Sequence, residues 1–275
     1  MRFQHATIVA NIQGVLTAIL DRHWLKDIPQ GGYLAAIALR AAGMHAPDGA
    51  RPRAMSCQYL SLPKPGGVSA LIEAVSSGPE RRVNVGLWQD GQCFFRARIW
   101  IAMEDPEVSR SRDTGPETFG QSHAVTARFQ RMADKWPELY WYFDTRAPMS
   151  LAHGEGGPRI GAQGLSVRDF HCGQDRFLDA ARSAMAIALL CWHDRAEDGV
   201  GPSADSASAL GLTVWFHANA PEQDWLVVSA GHDGVGHGLG HAQANVQSED
   251  GQLLASGGAR LSWEPPWNWG RGARA

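Results

Sequence analysis

From Gly31 to Ala42 the chain reads Gly-Gly-Tyr-Leu-Ala-Ala-Ile-Ala-Leu-Arg-Ala-Ala, apolar on nearly every side of a helical wheel and unbroken until Gly43. Alanine and leucine are the strongest helix formers, and a helix that is apolar all round has to be buried. The segments 54–62, 68–76, 82–89 and 92–103 read as strands, and Ala54–Leu60 shows the period-two alternation of a half-buried one. Pro63-Lys64-Pro65-Gly66-Gly67 supplies a turn, and Gln89-Asp90-Gly91 signals a hairpin. Upstream, residues 3–19 alternate loosely and predict a first strand, or a hairpin broken at Gly14. This order predicts a sheet curled around one central helix.

The second half repeats the first. Phe177–Trp192 predicts another buried helix, preceded by the strand-like Trp141-Tyr142-Phe143-Asp144. Leu210–His217 answers the strand around Tyr59, Leu226–Ala230 answers 68–76, and Gly238–Val246 answers 82–89. Asp250-Gly251-Gln252 then matches Asp90-Gly91-Gln92 residue for residue. The polar stretch with Pro and Gly between the halves reads as a linker. The expected organisation is one unit over residues 1–105, a linker over 106–122, a second unit over 123–264 and a tail over 265–275.

Composition narrows the function classes. A net charge of −3 gives no electrostatic footprint for nucleic acid or an anionic membrane. The N-terminus lacks a signal-peptide apolar region, and the longest apolar run, around Ala184–Trp192, is too short to span a bilayer. Cys57, Cys93, Cys172 and Cys191 lack C-x-x-C spacing and read as small core residues in a reducing compartment, so a cytoplasmic location is expected.

The candidate chemistry starts at Gly31-Gly32. Two glycines at a helix start leave backbone N–H groups at the positive end of the dipole, where a carbonyl oxygen or a phosphate could be received. Alternatively the glycines only allow close packing of helix and sheet. Asp194, where the second helix runs into the loop 195–208, is either a base with a pKa raised by apolar neighbours or a solvated charge paired with Arg195. Asp21 and Asp27 could do the same work from the first unit, although Asp27 also suits a helix start. Gln58 and Tyr59 lie on the strand expected beside the Gly-Gly helix, and Arg81 and Arg82 could face phosphates. His232, His237 and His241 lie in a Gly-rich stretch whose spacing suits a turn better than a metal site. No G-x-S-x-G nucleophile elbow is present, which argues against a covalent hydrolase.

Taken together, Gly31–Ala36, Met55–Leu60, Ser77-Gly78 with Arg81-Arg82-Val83, Leu212–His217 with Asp224-Trp225-Leu226, and the two Asp-Gly turns resemble the type II acyl-CoA thioesterase family. The resemblance runs from about Gly31 to Leu261. It implies an α+β double hot-dog, two units each with a long helix wrapped by an antiparallel sheet, joined side by side as one pseudo-dimer. It also implies hydrolysis of acyl-CoA in lipid metabolism by an activated water, with no metal or organic cofactor. Gly31 and Gly32 would hold the carbonyl oxygen, Asp194 or Asp27 would act as base, and Gln30, Gln58, Tyr59 and Ser208 would contact substrate. At the family's carboxylate, Thr/Ser and Gln places this chain has Ala188 (with Asp194 near it), Ala209 (with Ser208 beside it) and Gly258-Ala259. The rival reading is therefore a non-catalytic acyl-CoA or acyl-group binder. A hot-dog dehydratase ranks last, since Gln30-Gly31-Gly32 lacks the His and acid it would need. The expected partner is acyl-CoA, without nucleic acid or membrane, and a homo-oligomer of such pseudo-dimers is left open.

Overall fold

The computed structural model describes residues 3–22, 24–25, 31–74, 76, 80–103, 145–146, 161–166, 172, 175–193, 208–219, 225–236 and 239–262. The linker 106–122, the segment Trp141–Asp144 and the tail 265–275 lie outside them, as do Asp27, Gln30, Ser77-Gly78, Asp194 and His237.

In the first half a helical turn α1 (Phe3–Ala6) precedes strands β1 (Val9–Ile12) and β2 (Val15–Leu20) and helix α2 (Gly31–Gly43). Four strands follow, β3 (Ala50–Tyr59), β4 (Gly66–Ala74), β5 (Glu80–Gln89) and β6 (Gln92–Met103). The second half carries β7 (Thr145–Arg146), β8 (Gly161–Ser166), helix α3 (Arg176–His193), β9 (Ser208–Phe216), β10 (Trp225–Gly236), β11 (Leu239–Gln247) and β12 (Leu253–Ser262). The described strands form one sheet in the order β1-β2-β4-β5-β6-β3-β9-β12-β11-β10-β8-β7. The order within each half is the same, read outward from a central antiparallel seam between β3 and β9 with Met55 opposite Val214. Equivalent details recur at the ends of β3 and β9. Leu60 and Ser61 both donate N–H to the Phe94 carbonyl, and His217 and Ala218 both donate to that of Leu254. This is the α+β double hot-dog, two helices packed against one long antiparallel sheet.

The helices run antiparallel and touch closely at two glycines. A Cβ on Gly32 would lie 2.6 Å from the Met185 Cα, and one on Gly43 2.8 Å from the Phe177 ring. In α2 ten of thirteen residues are buried, as its all-round apolar sequence demands. At the first hairpin, Gln13 and Gly14 both take positive φ (53° and 86°), as do Asp90 and Gly91 (52° and 77°) at the β5–β6 turn. Such paired positive φ values match the twist of the flanking strands.

Two sequence expectations need correction. Phe3–Ala6 is helical, not strand; Phe3 is fully buried with its ring 5.7 Å from Trp24, so packing outweighs loose alternation. The Gly-rich stretch from Gly231 is not mainly a turn. Residues 231–236 continue β10 and 239–241 begin β11, with an irregularity between His232 and Gly234. Missing side chains do not stop backbone groups from pairing across a ladder, and a bulge absorbs the extra residue.

Candidate active site

The site is built at the start of α2. Tyr59 ends β3 pointing inward, and its ring packs against Phe95 at 5.3 Å. A Cβ on Gly31 would lie 2.5 Å from Tyr59 Oη, so the glycine leaves the space that the phenol fills. Cys57 Sγ–H, two residues back on the same face, donates to Tyr59 Oη at 3.7 Å. Burial, then the nearby thiol, drives the Tyr59 pKa well above its usual value, so the phenol stays a neutral donor. Burial likewise pushes the Cys57 thiol up to about 12, which leaves it inert as a nucleophile near neutral pH. The first two residues of α2 are glycines, and its first turn holds no acidic side chain.

Next to this point α3 contributes small apolar groups. A Cβ on Gly32 would meet Met185 Sδ at 2.7 Å and Ala188 Cβ at 3.2 Å. Because the helices are antiparallel, the last turn of α3 lies at the same end of the pair as Gly31, and Asp194 follows α3 directly. Behind the start, Tyr33 Oη donates to the carbonyls of Ala6 (3.0 Å) and Ile19 (3.3 Å) and accepts from the Asp21 N–H at 3.1 Å. Its ring stacks on Trp24 at 5.5 Å, and burial lifts its pKa to about 12. This anchoring role of Tyr33 escaped the sequence reading; the only available signal was an aromatic directly after the paired glycines.

Two family profiles match the chain, the acyl-CoA thioesterase N-terminal domain over residues 20–102 and the acyl-CoA thioesterase C-terminal domain over residues 101–257. The chain belongs to the acyl-CoA thioesterase family. Among solved structures, acyl-CoA thioesterase II TesB2 from Mycobacterium marinum is 15% identical with a TM-score of 0.73, over 94% of this chain and 97% of that one. The tesB protein of Mycobacterium avium subs paratuberculosis is 18% identical with a TM-score of 0.70, over 96% and 98%. A conserved protein of unknown function with a hot dog fold from Alicyclobacillus acidocaldarius is 20% identical with a TM-score of 0.70, over 96% and 98%. At these identities the likeness establishes the fold. A comparison with curated proteins finds no match.

Within this thioesterase fold the candidate residues separate. Gly31, Gly32 and Tyr59 meet at the start of α2. Gln58 does not join them. It is exposed on the outer face of the sheet opposite Gly211, because successive strand residues point to opposite faces. Ser208 opens β9 opposite Ser262, with its side chain outside the described set. Arg81 and Arg82 stand exposed on β5, opposite Ile101 and Trp100. His241 pairs in register with Gly234 and Arg260, and no group of metal-binding side chains is found among the described residues. Of the three places where the resemblance leads one to look for polar groups, Ala188 borders Gly32, Ala209 lies opposite Leu261, and Ala259 is buried between Leu212 and Ala242. No described helix is long and apolar enough to cross a membrane.

Proposed function

We propose that this chain hydrolyses an acyl-CoA thioester to the free acid and coenzyme A, with the thioester carbonyl seated at the start of α2. The observation that carries this reading is the place of Tyr59 Oη, directly over Gly31 at a helix start whose first two residues are glycines. Backbone N–H groups and a neutral phenol then converge on one point, the donor set that stabilises a developing oxyanion. Water adds to the carbonyl carbon as a carboxylate takes its proton. The tetrahedral intermediate then collapses, the C–S bond breaks, and the same proton passes to the departing thiolate. Asp194, just past the end of α3, is the first candidate for that carboxylate, and Asp27, four residues before Gly31, the second. Ser208 and Gln30 are proposed substrate contacts in the same reading, and no metal or organic cofactor takes part. The unit boundaries 1–105 and 123–264, and a cytoplasmic location in keeping with the four free cysteines, belong to it too.

A second reading, an acyl-CoA binder without turnover, is favoured by one observation. Ala188, Ala209 and Ala259 put methyl groups where the family resemblance leads one to look for a carboxylate, a hydroxyl and an amide. Thiol release from short, medium and long acyl-CoAs separates the two. Turnover that falls about 100-fold in Tyr59→Phe and is lost in Asp194→Asn supports hydrolysis with Asp194 as base. Turnover lost in Asp27→Asn instead moves the base to the first unit. Saturable acyl-CoA binding with no thiol released by the unmodified chain establishes the binder.

A further inference from the structure

The outer face of the sheet, turned away from both helices, carries a groove of about 610 Å3 across β3 to β6. Its floor holds Arg96 and Arg98, side by side on the outward face of β6, opposite Gly86 and Asn84 on β5. Arg98 Nε donates to Asn84 Oδ1 at 3.2 Å, which holds that guanidinium across the floor. Trp88 lies at one end, folded back so that a Cβ on Gly86 would meet its indole Nε1 at 2.8 Å. Trp100 lies at the other, six strand positions from Trp88, or roughly 20 Å at the usual rise.

The charge on this face is mostly positive. The groove lining sets two guanidinium groups against one carboxylate, Glu73. Arg82 and Arg260, both exposed, extend the same face, with Glu80 at its far end. This happens in a chain whose net charge is −3. The fold does not require it: the shared Asp-Gly-Gln turns align Arg96 and Arg98 with Ser256 and Gly258 in the second half. A second copy stacked on this face about a two-fold axis would bring guanidinium groups towards one another. An anion meets no such opposition.

We propose that this groove binds a nucleoside phosphate, its phosphate oxygens on Arg96 and Arg98 and its base stacked on the indole of Trp88. Guanidinium forks match phosphate oxygens bidentately, and a base stacks on an indole through its π-face. The volume lies within the usual range of small-ligand sites. A free adenine nucleotide and the nucleotide end of coenzyme A both carry this chemistry, and the site does not depend on the hydrolytic reading.

The test is fluorescence anisotropy of mant-ADP titrated with the full chain, followed by displacement with unlabelled ADP and with free coenzyme A. Saturable binding is expected, weakened about tenfold or more in the double variant Arg96→Ala/Arg98→Ala and several-fold in Trp88→Ala, with unchanged thermal melting. Displacement by ADP and coenzyme A alike assigns the groove to the nucleotide end of coenzyme A. Displacement by ADP alone assigns it to a free nucleotide. No saturation up to about 1 mM, or equal affinity in the double-arginine variant, overturns the proposal. So does sedimentation showing a dimer that the double variant dissociates while mant-ADP fails to bind, which makes this face an interface between copies.

Discussion

At one end of the helix pair α3 begins on a capping carboxylate, while at the other α2 begins on two glycines. Asp175 Oδ1 accepts the N–H groups of Phe177 (3.0 Å) and Leu178 (2.9 Å), two of the orphan donors of α3. Around that cap stands an ionic network. Arg40 approaches Asp175 at 4.0 Å and donates to the Gln4 carbonyl at 2.6 Å, Arg176 reaches the Gly49 carbonyl at 2.6 Å, and Arg182 pairs with Asp179 at 2.5 Å. At the start of α2 the neighbours are Tyr59, Met185 and Ala188. A tandem repeat thus places two equivalent helix starts in one molecule and furnishes them differently, with a capping carboxylate at α3 and two glycines at α2. At the α2 start the first two residues carry no side chain, which lets a phenol or a ligand oxygen come close to the backbone.

The largest stability effect should come from the capped end. Asp179→Ala removes the carboxylate paired with an almost fully buried arginine and should cost about 3–5 kcal/mol, read from denaturant unfolding. A loss below 1 kcal/mol would mean that the pair does not hold this end together.

The glycine end should answer to bulk. Gly32→Ala places a methyl 2.6 Å from the backbone of Met185 and should cost about 1–3 kcal/mol, more than Gly43→Ala, where the Phe177 ring can yield. Equal costs at the two glycines would show that the helices can separate freely at the α2 start.

Loss of the cap is a smaller and more selective change. Asp175→Ala should cost about 1 kcal/mol and leave acyl-CoA binding and thiol release as they were. Changed acyl-CoA kinetics would place function at the wrong end of the pair.

The mildest probe is alkaline pH, since each start has a buried thiol, Cys57 at α2 and Cys172 at α3. Burial is the first cause in both, and each is raised from 9.0 to about 12. An acid whose pKa is raised in the folded state supports stability below the unfolded value and loses that support as pH climbs through the interval. Melting temperature should therefore fall between pH 9 and 12, and Cys57→Ala or Cys172→Ala should each flatten the slope. A slope unchanged in both variants would remove the thiols as its cause.

Much of this was written in local pattern. The unbroken Ala/Leu run after Gly31 could only be a buried helix, and the Asp-Gly turns fixed two hairpin tips and exposed the repeat. The candidate site was less legible. Gln58 and Tyr59 are neighbours in sequence with equal claim to the helix start, and only strand pairing decides which one faces it. The Gly-rich run after Gly231 looked like a turn because glycine is permissive, yet residues 231–236 form a ladder with β11. The arginine and tryptophan groove was invisible along the chain, since Arg96 and Arg98 on β6 meet Trp88 and Glu73 on other strands only across the sheet.

By itself the sequence determined the elements, their repetition and the family, because periodicity, helix propensity and turn chemistry act over a few residues. The tertiary structure alone decided which glycine receives the phenol, what lines each helix start and where the cations gather. Those are contacts between segments far apart in the chain, and they exist only once the strands have paired and the helices have packed on them.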